Sequence, residues 1–207
     1  MFENITMHKE IKKSIIRSQH VQRNWDLTKQ IPEEDIDLII HAATNCPSKQ
    51  NFRFYKLHAI TNRKKIESIH ALTEGLRTEK GEMSTNSQTL ANLLLVFEDV
   101  ERSPAYIDKW NLRDNGEDKL WKRDQDMAIG VAAGYVNVIS SMLGYGTGCC
   151  ACFNGKEVQE KIGFTNRPIL MMGIGYKDPN RPRREHHLTG EIMGKRAKEP
   201  IEVIREI

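Results

Sequence analysis

From Met127 to Gly155 the chain carries no charged residue, and this single run dictates most of what the rest can fold around. It is long enough to cross a bilayer. It nevertheless contains Asn137, Ser140 and Ser141, followed by GYGTG from Gly144 to Gly148, which would break a spanning helix before it finished. A buried helix, a glycine turn and a buried strand account for the run better than a membrane span. The helix, expected from Gln125 to Leu143, is apolar on nearly all sides through Met127, Ile129, Val131, Val136, Val138, Ile139 and Met142. Such a helix has to be covered by the core or by a second subunit, and a dimer interface is expected on it.

A chain of 207 residues can bury one sizeable core, which favours a single domain with terminal arms. Its 31 basic and 28 acidic residues are interspersed, so the net charge of +3 describes a solvated surface and not a polycation for nucleic acid. Arg181, Arg183 and Arg184 form a tight basic group, which reads either as a phosphate site or as a solvated loop. The cysteines Cys149, Cys150 and Cys152 are too crowded for a secreted disulfide framework, and with Cys46 they point to a reducing cytoplasm. The opening MFENITMHKEIKKS has charges where a secretory leader needs an apolar core, so no targeting segment is expected.

Helical spacing of Ile11, Ile15 and Ile16 predicts an amphipathic helix over residues 5–18. A second helix is expected from Pro32, with Glu33, Glu34 and Asp35 at its positive end and Ile36, Ile39, Ile40 and Ala43 as its stripe, ending before Pro47. Strands are expected at 54–60, 93–97, 149–153 and 169–176, and further helices at 64–76 and 156–162. Residues 98–124 form a polar excursion with some helix, able to cover a site, in which Trp110 and Trp121 are expected to pack into the core. Residues 177–207 read as a loop and an extended arm. The irregular alternation of helices and short strands gives an α+β chain with a small sheet flanked by helices.

The local motifs are individually weak. LGYGTGCC is not a dinucleotide fingerprint, because a helix precedes its glycines and a strand follows them. The crowded cysteines lack the second pair a zinc site needs, so buried, unreactive thiols are the simpler reading, and no local pattern pairs a cysteine with one of the seven histidines. NCPSKQNF, residues 45–52, is a turn rich in hydrogen-bonding groups and by itself only a polar connection.

Taken in order, these segments resemble the flavin-dependent nitroreductase family over roughly Ile11 to Arg184. QHVQRNW at 19–25 matches the family's basic run ending in an aromatic, and PSKQN at 47–51 matches its proline-serine turn with an asparagine. Leu143-Gly144, GYGTG, CACF at 150–153 and GIGY at 173–176 follow as the family's later landmarks do. The resemblance implies an α+β nitroreductase-like fold with a small mixed central sheet flanked by helices, in an intertwined homodimer. It also implies a domain over 1–184 and a C-terminal arm, 185–207, packing on the partner subunit.

For function the resemblance implies an FMN-dependent oxidoreductase that passes electrons from NADH or NADPH to a small oxidised acceptor, a nitroaromatic or quinone, in a two-step exchange. The flavin carries the chemistry, and no side chain is expected to be an essential acid or base. By position, Gln19, His20, Val21 and Arg23 match flavin contacts, with Arg23 near the pyrimidine edge. Pro47, Ser48, Lys49 and Asn51 match a turn that reaches the flavin from the partner subunit. Cys150, Ala151 and Cys152 match backbone positions beside flavin N5, and Arg181, Arg183 and Arg184 match a segment that closes on the phosphate. Gln19 and Val21 replace the family's usual arginine and serine, while Arg17 and Ser18 stand two residues earlier, and Arg53, Phe54 and Tyr55 replace its glutamine-proline-tryptophan. A relative specialised for reductive dehalogenation or flavin consumption, or a non-catalytic flavin-binding dimer, would share these features.

Overall fold

The computed structural model describes residues 2–75, 83–110, 119–194 and 197–205. Helix α1 (Phe2–Ser18) leads to α2 (Glu33–Thr44), β1 (Lys56–Ile60), α3 (Arg63–His70) and β2 (Leu93–Glu98). Helices α4 (Pro104–Trp110) and α5 (Lys119–Met142) follow, then β3 (Gly146–Cys150), α6 (Gly155–Ile162) and β4 (Pro168–Gly175). The strands pair antiparallel in the order β1-β2-β4-β3, and the parallel component of the expected mixed sheet is the single bridge between Val21 and Thr147.

Strand β2, LLLVFE, is buried throughout because both faces of the sheet are covered. Leu93, Leu95 and Phe97 pack with Ile36, Ile39 and Ala43 of α2 and Ile129, Ala132 and Val136 of α5. Leu94 and Val96 point the other way, onto Ile66 and Ile69 of α3 and Val158 of α6. Alternation along one strand thus feeds two cores. At its end Glu98 is fully buried and ligated by His58, Lys56 and the Asn166 amide. Burial pushes this carboxyl up, but the His58, Asn166 and Lys56 contacts prevail and hold it below the usual range.

The observed elements depart from the sequence reading in several places, and the helix expected over 64–76 ends at His70. Helix α5 begins at Lys119 and not at Gln125, because its polar first turns are satisfied inside the protein. Gln125 donates to Phe54 O and Asp99, Asp124 is paired, and Trp121 packs on Phe54 and Tyr106 as expected of a core tryptophan. Of the GYGTG glycines only Gly144 takes a left-handed turn conformation, at φ +94°. Gly146 and Gly148 belong to β3, which therefore starts three residues earlier than expected and stops at Cys150. Within the segment expected as an arm from residue 185, His186 is buried with its ring on Thr85 O, and Met193 is buried as well. Part of the 98–124 excursion and the side chain of Trp110 lie outside the described residues.

One face of α5 is not covered by the described residues. Met127, Val131, Tyr135 and Met142 are exposed, beside Met7, Ile11, Ile15 and Ile16 of α1, the helix packed against it. Among the described residues no helix is long and apolar enough to cross a membrane.

Candidate functional site

The segment after α1 is threaded between strand ends by its backbone. Gln22 N donates to Thr147 O at 2.8 Å, Arg23 N to Arg183 O at 3.0 Å and Asp26 N to Tyr176 O at 3.0 Å. The buried indole of Trp25 locks the thread by donating to Ser87 O at 2.8 Å. This fixes Arg23 where the start of β3, the end of β4 and the 183 loop converge. Arg183 reaches back through Nη1 to Val21 O at 3.1 Å, and Arg17, in the last turn of α1, and Lys177 complete the group.

Four cations thus meet, and none is in an ion pair among the described residues. Burial and the neighbouring Arg183 push Arg23 below its ordinary value, while desolvation, Arg17 and Arg183 do the same to Lys177. Concentrated positive charge of this kind, held by backbone bonds and unmatched by carboxylates, suits an anion with several oxygens.

A second feature adjoins it. Gln22 and Gln88 both press on Gly148 of β3, where an added Cβ would lie 2.8 Å from Gln22 O and 2.8 Å from Gln88 Cβ. Gln22 Oε1, Gln88 Oε1, Ser87 Oγ and both amide atoms of Asn24 are buried without a hydrogen-bond partner. Buried polar atoms normally have partners, so a patch of them beside a cation cluster points to a polar ligand.

The residues expected from sequence fall into three places. Gln19 and His20 are exposed at the end of α1, Gln19 accepting from Lys198 at 3.3 Å, and Val21 is half-buried in its bridge to Thr147. Of the three arginines only Arg183 joins Arg23. Arg181 is held by Glu185 at 2.7 Å and by the carbonyls of His186 and His187, and Arg184 donates to Met193 O at 2.7 Å. Cys150 is buried and its thiol is pushed up to about 11, chiefly by burial, so it is inert, whereas Ala151 and Cys152 are exposed just past β3.

The turn with Pro47, Ser48, Lys49 and Asn51 is elsewhere. Lys49 pairs with Asp124 at 2.6 Å near the start of α5, whereas the cations gather beside Gly146, just past its end. The rise from Asp124 to Met142 is about 27 Å at 1.5 Å per residue.

Sequence reasoning did not find Gln22, Asn24, Ser87, Gln88 or Lys177. Gln22 and Asn24 lay within the recognised QHVQRNW run, but the others become neighbours only through the sheet.

The back wall of this region carries a titration signature. His70 is buried, with Nε2 2.7 Å from Thr85 Oγ1 and Nδ1 3.2 Å from Asn86 O. Burial, aided by His186, Arg63 and His187, pushes its pKa down to about 4 against the Asn86 bond. The folded protein then rejects a proton that the unfolded chain accepts near pH 6.5. Stability is therefore intact above that pH and declines as pH falls toward 4, by about 3 kcal/mol from this residue. Urea unfolding of wild type and His70→Gln across that window is expected to give a flatter pH dependence in the variant.

A sequence model of the Nitroreductase family matches residues 16–176. No curated protein matches. Among solved structures, the NfrA1 nitroreductase from B. subtilis superposes with a TM-score of 0.65 at 12% identity, covering 92% of this chain and 70% of that one. The Nitroreductase Family Protein from Streptococcus pneumoniae TIGR4 gives 0.64 at 16% identity, covering 90% and 94%. The NADPH:FMN oxidoreductase from Vibrio harveyi, solved with NAD+, gives 0.62 at 16% identity, covering 93% and 80%. At such identities these likenesses establish the fold.

Proposed function

The chain belongs to the nitroreductase family, and from that premise we propose that it is a homodimeric, FMN-dependent oxidoreductase. In this reading it draws electrons from NADH or NADPH and delivers them to a small oxidised acceptor, a nitroaromatic or quinone, in two successive steps. The observation that carries the reading is the cation group of Arg17, Arg23, Lys177 and Arg183, in no ion pair among the described residues, beside the buried, partnerless Gln22 Oε1, Gln88 Oε1 and both amide atoms of Asn24. FMN has one phosphate dianion and one flat ring with a polar edge; Arg17, Lys177 and Arg183 suit the phosphate, and Arg23 with the neighbouring buried polar atoms suits the ring edge. Arg17 and Lys177 supply the charge that Gln19 lacks at the family's usual arginine position.

When bound, FMN supplies the redox chemistry. The chain's part is to hold it, to exclude water and to present positive charge, with Arg23 favouring negative charge on the ring. Ala151 and Cys152 expose backbone at the end of β3 for contact with the ring. No side chain is assigned a proton-transfer role. Four free cysteines suit a reducing cytoplasm.

The uncovered face of α1 and α5 supports a homodimer, because exposed apolar stripes on two packed helices favour burial against another copy. The position of the 47–51 turn supports it too, since this turn would serve the site of the partner subunit. The main unit spans 1–184, residues 185–193 pack on it, and residues 197–205, with exposed Ile201, Val203 and Ile204, form the arm that lies on the partner. Val131→Glu is expected to yield monomers by gel filtration and to weaken FMN binding about tenfold, roughly 1.4 kcal/mol. A monomer that keeps wild-type affinity would refute the shared site. Reductive dehalogenation, flavin consumption and flavin binding without turnover would use the same pocket, and product analysis of the reduced enzyme separates them.

A further inference from the structure

The turn between α2 and β1 has an unusual backbone. Gln50 and Asn51, neither of them glycine, are both left-handed, with φ of 52° and 58°. Such conformations persist only when the surroundings impose them, and they gather at functional positions. The restraints include backbone bonds from Asn51 N to Ser48 O at 3.2 Å and from Phe52 N to Lys49 O at 3.1 Å, Ser48 Oγ donating to Phe52 O at 2.9 Å, and Lys49 Nζ 2.6 Å from Asp124 Oδ2.

Asp124 is an unusual anchor for a surface turn. Its side chain is only 3% exposed, and it also accepts from Tyr106 Oη at 2.7 Å and Arg123 at 3.2 Å. Tyr106, from α4, is in turn fully buried, edge-on to Phe52, Phe54 and Trp121. A buried carboxylate must be paired to stay ionised, and Lys49, Tyr106 and Arg123 outweigh the burial that opposes its charge. The carboxylate is therefore a fixed charged post near the start of α5, and Lys49 ties the turn to it.

We propose that Asp124 is a positioning residue that, through Lys49, holds the Ser48–Asn51 turn in the shape that completes the FMN site of the partner subunit, a role that rests on the functional reading above. Tyr106 makes α4 part of the same frame. The excursion between β2 and α5 thereby acquires a role beyond covering: it braces the turn from behind.

The test compares FMN dissociation constants, read from flavin fluorescence on dilution of the FMN-loaded dimer, with thermal midpoints of the same proteins. Asp124→Asn and Lys49→Met are each expected to raise the constant about tenfold, and the double variant no further than either alone. Lys49→Arg is expected to keep wild-type affinity within about twofold, and Tyr106→Phe to lower the midpoint while leaving affinity within about twofold, because the ion pair survives. Unchanged affinity in a folded Asp124→Asn dimer would overturn the proposal, including the case in which Lys49→Met alone loses affinity as a direct ligand would. Affinity that falls with the midpoint in every variant, Tyr106→Phe included, would reduce Asp124 to a structural residue and overturn it as well. A wild-type dimer that takes up no FMN would defeat the functional reading together with this one.

Discussion

Gly173→Ala is expected to lower the thermal midpoint by about 10 °C or more. Residue 173 lies in β4 at the centre of the sheet, opposite Leu94 of β2 and Gly148 of β3. A Cβ there would stand 2.0 Å from Gln88 O, 2.9 Å from Ala91 Cβ and 3.1 Å from the Gln88 carbonyl carbon. The nearest obstacle is backbone and cannot rotate away. Relief requires the 3-10 turn Ser87–Thr89 to lift off the sheet, with the carbonyl of Ser87 that anchors Trp25 and the amide of Gln88 that borders the site. Overpacking of this severity costs about 3–4 kcal/mol, and in a chain of this length each kcal/mol moves the midpoint by roughly 2–4 °C. Calorimetry of the purified variant checks it. A midpoint within about 2 °C of wild type would mean the turn yields easily and the wall of the site is softer than described.

Arg23→Ala is expected to weaken FMN binding about 100-fold and to slow reduction of the bound flavin. Arg23 is half-buried on a backbone tied to Arg183 O, and charge-assisted bonds from a guanidinium to an anion contribute about 1.5–3 kcal/mol, or roughly 10- to 150-fold in affinity. Stability should respond in opposite directions with and without the ligand. Burial and Arg183 already disfavour the Arg23 charge in the chain alone, so removing it should leave the FMN-free midpoint unchanged or raised. The midpoint at saturating FMN for the wild type should fall in the variant, because less binding energy is linked to folding. Parallel melts with and without FMN check both signs. A variant that loses stability equally in the two conditions would make Arg23 a structural residue.

The sequence disclosed the framework more fully than the site. Pro32 followed by Glu33, Glu34 and Asp35, and the apolar runs of β2 and β4, were legible because local chemistry and burial agree there. The start of α5 was not, since Asp124 and Gln125 read as solvent-facing and are instead satisfied by partners 75 and 71 residues distant. GYGTG looked like one turn because glycine marks both turns and close approaches, and only the packing of Gln22 and Gln88 separates the two uses.

At the site the same limit applies. Arg181, Arg183 and Arg184 are neighbours in sequence, yet only Arg183 turns toward Arg23, because the loop aims Arg181 at Glu185 and Arg184 at Met193. Lys177 reads as one more surface lysine until the end of β4 sets it beside Arg183 and Arg17. Adjacency along the chain records which residues are present, and the sheet decides which of them meet.

The most direct test of the central claim is anaerobic mixing of the FMN-loaded dimer with NADH or NADPH while the visible flavin band is followed. Rapid bleaching by at least one nicotinamide is expected, with recovery of the band when a nitroaromatic or quinone is added. Failure of the dimer to take up FMN, or a bound flavin that neither nicotinamide bleaches, would contradict it.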